Sequence, residues 1–184
     1  MEVGPGTLLV ATPAIEDPNF SRTVVMMLEV TEEGAMGVIL NRPSDTGIPA
    51  VLRDWTPLVN SPSVVFEGGP VEPTGAVGVG LLRPNEQPPL GWTPVLDTLG
   101  MVDLGVPVEL VGSSVQQVRL FGGYAGWGVE QLRGEIHQGS WYIVPGVPED
   151  VFRSSTQSLW ADVLKRQPGR LAWYVTRPMN AELN

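Results

Sequence analysis

The most constraining stretch of this 184-residue chain is Leu120–Trp141, LFGGYAGWGVEQLRGEIHQGSW. Gly122, Gly123, Gly126 and Gly128 read as a glycine turn aimed at a helix. The helix follows from Val129, Leu132 and Ile136, spaced by three and four residues, so that Leu132 and Ile136 share a buried stripe. Gly139 falls where a helix ends most cheaply in the left-handed region. Trp141–Val144 reads as a strand. A turn feeding a helix beside a sheet can bind a ligand, and the rest of the chain is read for what could join it there.

The flanking segments predict a β-rich fold. Gly6–Ala11, Thr23–Val30 and Ala35–Leu40 read as strands, the last two as a hairpin across Thr31–Gly34. Pro43 is expected to end the third strand, because proline cannot donate to a ladder and restricts Arg42 before it. Ile48–Trp55 suits one or two helical turns. Val64–Phe66, Ala76–Leu82, a piece of Val95–Met101 and Val115–Phe121 read as strands, and Pro107–Gly112 as one helical turn. Glu149–Phe152 and Ser158–Arg166 read as helices, Leu171–Thr176 as a last strand and Arg177–Asn184 as a frayed end. A faint echo links Val64–Pro70 with Val118–Tyr124, each a β-run stopped by Gly-Gly. It suggests two similar half-units whose glycine turns approach each other.

Composition limits the function. The 22 Gly and 18 Pro imply short elements and tight turns. With 42% hydrophobic residues the chain can build a proper core, and one compact domain over 1–184, or two intimately packed lobes, is expected. Twenty acidic against 11 basic residues give a net charge of −9, which opposes direct binding to nucleic acid or an anionic membrane. Only 17% of residues are charged, which hints at an apolar patch or a homo-oligomer. There is no Cys and one His, His137, so thiolate chemistry and multi-His metal sites are excluded, and no metal or cofactor is expected. No signal peptide and no apolar stretch long enough to span a bilayer are seen, and a cytoplasmic location is the expectation.

The polar candidates stand at element ends: Asn41 and Arg42; Glu67 with Gly68 and Gly69, whose backbone amides would be exposed; Tyr124 and Trp127; and Gln131 and Glu135, one helical turn apart on a common face. If these ends converge, they form a cleft with an arginine, two carboxylates, amide donors and an aromatic wall. Arg42 would clamp a carboxylate or phosphate. Glu67 and Glu135 could act as acid and base only at about 5–10 Å from each other. Against this stands a structural reading, in which Arg42 and a glutamate form an ion pair and the aromatics simply pack.

The ordered motifs GTLLVATP (6–13), DPNFSRTVVMMLE (17–29), GAMGVILNRP (34–43), FEGGPV (66–71) and FGGYAGWGVEQLRGEI (121–136) resemble the YqgE/AlgH family, UPF0301. Gly123, Tyr124, Gly126, Trp127, Gln131, Leu132 and Glu135 match that family's pattern of roughly GYxGWxxGQLExE. Glu130 replaces its usual Gly, and Arg133 its usual Glu, leaving Glu135 as the acid in register. The resemblance implies an α+β fold with a mixed sheet and flanking helices, roughly three-layered. Members carry the label of transcriptional regulators, which the net charge argues against taking as direct DNA binding. The reading favoured here is a non-enzymatic binding or indirect regulatory protein, taking a small anionic ligand or a protein segment. The alternatives are a small-molecule hydrolase or other enzyme using Glu67 or Glu135, and a direct DNA-binding regulator.

Overall fold

A computed structural model describes residues 2–175. Ten strands dominate it: β1 (Thr7–Ala11), β2 (Val24–Val30), β3 (Gly34–Ile39), β4 (Pro43–Gly47), β5 (Val64–Glu67), β6 (Val71–Leu82), β7 (Trp92–Leu96), β8 (Leu99–Val102), β9 (Val115–Gly128) and β10 (Trp141–Pro145). Five short helices accompany them: α1 (Val108–Gly112), α2 (Val129–His137), α3 (Pro148–Phe152), α4 (Leu159–Lys165) and α5 (Leu171–Tyr174). The strands join in one curled, mainly antiparallel sheet, in the order β10-β1-β2-β3-β9-β6-β8-β7. β5 lies parallel to β9, and β4 pairs with β5.

Both faces of β1 and β2 are buried, which is why their sequences run apolar without alternation. Leu8, Val10, Val24, Met26 and Leu28 join an inner cluster, whereas Leu9, Ala11, Val25 and Met27 join an outer one. The inner cluster also takes Val144 of β10 at one end of the sheet and Val95 of β7 at the other, so the curl brings distant strands onto a common core. α4 covers that core with Leu159, Trp160, Val163 and Leu164. The Trp160 indole donates to the Ala11 carbonyl at 2.8 Å, fixing the helix against β1.

The glycine turn expected at Gly122–Gly128 is not a turn. It is the second half of β9, a 14-residue strand that pairs with β6 through its first part and with β3 through its last. Phe121 and Tyr124 both face the inner cluster although they are three residues apart, so the two-residue alternation of the strand slips between them. Gly123 takes up the slip with φ at 69°, a conformation that costs glycine little. Opposite it, β6 carries extra chain: Val71 pairs with Tyr124, but the next partner of β9 is Ala76, opposite Gly122. The residues between, from Glu72 to Gly75, bulge out of the sheet.

Other expectations are revised locally. The third strand does end before Asn41, but Pro43 opens β4, an edge strand with β5 as its partner, where a missing N–H is tolerated. The stretch 92–102 holds two strands in a hairpin rather than one. Leu171–Tyr174 is a helical turn, not a strand; it packs against α4, and a strand there would have no ladder to join. Thr176 and Arg177–Asn184 lie outside the described residues. The helix at 129–137 is as expected, with Leu132 buried, Ile136 packed on the same outer cluster and Gly139 left-handed at φ 80°.

The C-terminal helices are tied by ion pairs. Arg166 forks onto Asp150 with two 2.6 Å bonds, which raise the arginine's pKa. Asp162 accepts from Arg153 and from Ser158, each at 2.7 Å, and these bonds lower its pKa from the ordinary carboxylate range. A carboxylate with a depressed pKa binds fewer protons folded than unfolded, so its contribution is present above the unfolded value and is lost as pH falls through the folded one. Asp162→Asn is therefore expected to flatten the acid limb of stability. Urea unfolding at pH 7 and near pH 3 checks this: the gap between the two should shrink in the variant.

Candidate functional site

The link between β3 and β4 places two of the candidate side chains. Asn41 pins it to β2: its Oδ1 accepts the Val24 N–H at 3.0 Å and its Nδ2 donates to the Arg22 carbonyl at 2.9 Å. Arg42 follows. Its carbonyl accepts the Glu67 N–H at 2.8 Å, which sets Arg42 directly opposite Glu67 in the antiparallel pairing of β4 with β5. The guanidinium donates to the carbonyls of Asn19 at 2.8 Å and Ser21 at 3.2 Å, holding the loop before β2.

Arg42 and Glu67 line one open cleft of about 590 Å³. Its floor is Val65, Phe66, Leu120 and Gly122, where β5 runs beside β9. One wall is the edge strand β4, with Ser44 and Thr46, continued by Val51 and Leu52. The opposite wall is the bulge of β6, from Pro73 to Ala76, with Gly69 and Pro70 at its root. Ser44 Oγ donates to the Val65 carbonyl at 2.6 Å and stiffens the wall it stands in. Arg42 and Glu67 are the charged residues of the lining, and they form no ion pair with each other among the described residues. The structural alternative of an Arg42–Glu67 bridge is therefore not what the side chains do.

The remaining candidates divide. Gly69 lines the cleft, but Gly68 is buried, and its amide is not exposed as expected: it donates to the Gly122 carbonyl at 2.8 Å. Its carbonyl accepts from Ile39, so the glycine stitches β3, β5 and β9 together. Tyr124 is half-buried against the inner cluster. Trp127, Gln131 and Glu135 belong with the outer cluster and α2, away from the cleft lining. The Trp127 and Trp141 indoles both donate to Glu135 Oε2, at 2.9 and 2.8 Å, and Gln131 donates to Oε1 at 2.9 Å. Phe20 closes the group, its ring centroid 6.0 Å from Trp127 and 5.8 Å from Trp141. Glu135 is thus an acceptor shared by two buried indoles, and it does not face Glu67 across a common site.

Sequence reasoning missed Ser44, Thr46 and the Pro73–Ala76 wall. The signal available was turn chemistry, Pro70, Pro73 and Gly75 around Glu72, which marks a break inside an apparent strand. It also missed Arg119, one arginine in the apolar run of β9. Arg119 is 1% exposed. Its guanidinium lies 4.2 Å from the Phe66 ring centroid and donates to the carbonyls of Ser61 at 3.0 Å and Arg153 at 3.1 Å. Burial lowers its pKa to about 10. Among the described residues no group of His, Asp or Glu is placed to hold a metal ion, and no helix is long and apolar enough to cross a membrane.

Comparison with known proteins places this architecture. The AlgH-like family model DUF179 matches residues 8–172. A UPF0301 protein of Streptomyces coelicolor is 47% identical over 182 residues, covering 97% of this chain and 94% of its own. One from Mycobacterium leprae is 39% identical over 181 residues, covering 97% and 90%. Among solved structures, protein DIP2367 of Corynebacterium diphtheriae superposes with a TM-score of 0.91 at 35% identity, over 96% of this chain and 94% of that one. The AlgH protein of Pseudomonas aeruginosa superposes with a TM-score of 0.68 at 25% identity, over 97% and 98%. On the family model, the relatives and the shared curled sheet together, this chain belongs to the AlgH-like family, UPF0301.

Proposed function

We propose that this is a non-enzymatic binding protein, with an indirect regulatory role, whose ligand is a small molecule carrying an anionic group. The observation that carries the reading is the cleft between β4 and the β6 bulge. It brings the ends of strands far apart in sequence to one concave surface, and its volume lies within the roughly 300–1,000 Å³ typical of small-molecule sites. Arg42 would receive the anion. Two of its five N–H donors hold the Asn19 and Ser21 carbonyls, which fixes the guanidinium in place, and the others have no partner among the described residues. Of the alternative, an enzyme using Glu67 or Glu135, the Glu135 arm is disfavoured, because that carboxylate is committed to two indoles. The −9 charge disfavours direct DNA binding. The parallel pairing of Val64–Glu67 with β9, beside the segment that echoes it, supports reading the cleft as the seam between two duplicated, layered half-units.

The test is a ligand screen on the pure protein with two variants. Thr46→Trp fills the cleft from its exposed edge strand and should abolish binding. Arg42→Ala should weaken it about 10- to 100-fold, the loss of roughly 1.5–3 kcal/mol for a charge-assisted hydrogen bond. Ligands that bind both variants as well as the parent would place the site elsewhere.

A further inference from the structure

Resting on that binding reading, we infer that the cleft takes a short apolar peptide in its zwitterionic form, carboxylate on Arg42 and ammonium on Glu67. Directly opposite residues of an antiparallel pair have Cβ atoms about 5 Å apart, and an arginine and a glutamate in that position ordinarily meet. Here they do not. Arg42 is drawn aside by the Asn19 and Ser21 carbonyls, and Glu67 is exposed, its carboxylate without a hydrogen bond or ion pair among the described residues. The cleft therefore offers one cation and one anion, held apart and both open to a guest. A guest with an anion alone would leave the Glu67 carboxylate beside its own charge; a guest with both charges satisfies each.

The spacing and the lining narrow the class. A free amino acid carries its two charges on one carbon, whereas two extended residues place theirs roughly 7 Å apart, a longer reach for a guest that must meet two charged groups which do not meet each other. Beside the polar Ser44, Thr46 and Thr74, the lining carries apolar side chains: Val65 on the floor, Val51 and Leu52 on the β4 side, Pro73 on the other. Such a surface accommodates branched aliphatic side chains and penalises charged ones. Gly122 shapes the floor. Its backbone is not in the left-handed region, and a methyl group there would sit 3.3 Å from the Pro73 carbonyl and 3.4 Å from Val65, so glycine lets floor and wall close together at this point.

The experiment is calorimetric titration of the full chain with leucyl-leucine, N-acetyl-leucyl-leucine and leucyl-leucine amide, with free leucine as the length control. Leucyl-leucine is expected to bind about tenfold or more tightly than either capped form, and more tightly than leucine. Glu67 is exposed, so Glu67→Gln should fold as the parent does; it should bring leucyl-leucine down to the affinity of the N-acetyl form and leave the amide-to-acid ratio unchanged. Equal binding of the N-acetyl form to the parent would overturn the zwitterion while keeping an anion site, provided Thr46→Trp removes it. No binding by any of the peptides, with other Thr46→Trp-sensitive ligands found in the screen, would also overturn it and spare the cleft. No Thr46→Trp-sensitive ligand at all would remove both.

Discussion

Arg119→Ala is expected to destabilise the protein by about 4 kcal/mol, with the urea midpoint falling and the slope unchanged. The substitution strands the Ser61 and Arg153 carbonyls without their donor, at roughly 1–3 kcal/mol each. It also removes the guanidinium from the face of Phe66 and opens a cavity in the inner cluster. One term runs the other way. The guanidinium is buried with no carboxylate partner, and its Nε finds no acceptor among the described residues, so the native state bears a desolvation cost that alanine relieves. Arg119→Met separates these effects. It keeps contact with Phe66 and much of the volume while removing the charge, and should lose about half as much as alanine. If methionine proves as costly as alanine, the two carbonyl bonds, one to the end of α3 and one to the segment before β5, carry the effect and the packing is secondary. Either outcome measures how firmly Arg153, at the end of α3, is fastened to β9.

The second large effect concerns Glu135. Glu135→Ala leaves the Trp127 and Trp141 N–H groups without an acceptor in a site where both rings are nearly covered, 6% and 5% exposed. Two unsatisfied buried donors cost about 3 kcal/mol together. Glu135→Gln keeps one carbonyl oxygen able to accept both indoles, and should cost about 1 kcal/mol. Thermal and urea unfolding of the two variants would check the order. Ligand binding in the cleft should be unchanged in Glu135→Gln. A loss of binding with preserved stability would return Glu135 to the functional site.

These two residues show where reading the chain succeeded and where it stopped. The strands over 7–11, 24–30 and 34–39 were visible because buried β-branched runs carry their own signal. The glycine segment was not, because glycines bear no side-chain period: a turn and a strand look alike until the partners, β3 and β6, are known, and both lie far away in sequence. Gln131 and Glu135 stood out by their four-residue spacing and Trp127 by its place beside the glycines, and together they built a hydrogen-bonded pillar under the sheet rather than a wall of a cleft. Arg42 and Glu67 were found by their positions at strand ends. That they stand opposite each other depends on the register of β4 with β5, which no local feature of Asn41-Arg42-Pro43 encodes. Leu171–Tyr174 illustrates the same limit: a short aromatic run suits a strand, and only its packing on α4 decides for a helical turn.

The slip at Gly123 also has a bearing on how this chain can vary. A strand that changes facing halfway cannot gain or lose a residue near that point without turning one half inside out, since every side chain beyond the change would move to the opposite face, away from the cluster it packs in. The compensating slack sits across from it, in Glu72–Gly75, where chain has already left the ladder. Length can change there without moving any paired residue, and because the same loop forms one wall of the cleft, a change in its size would alter the shape of the opening while the scaffold stays as it is.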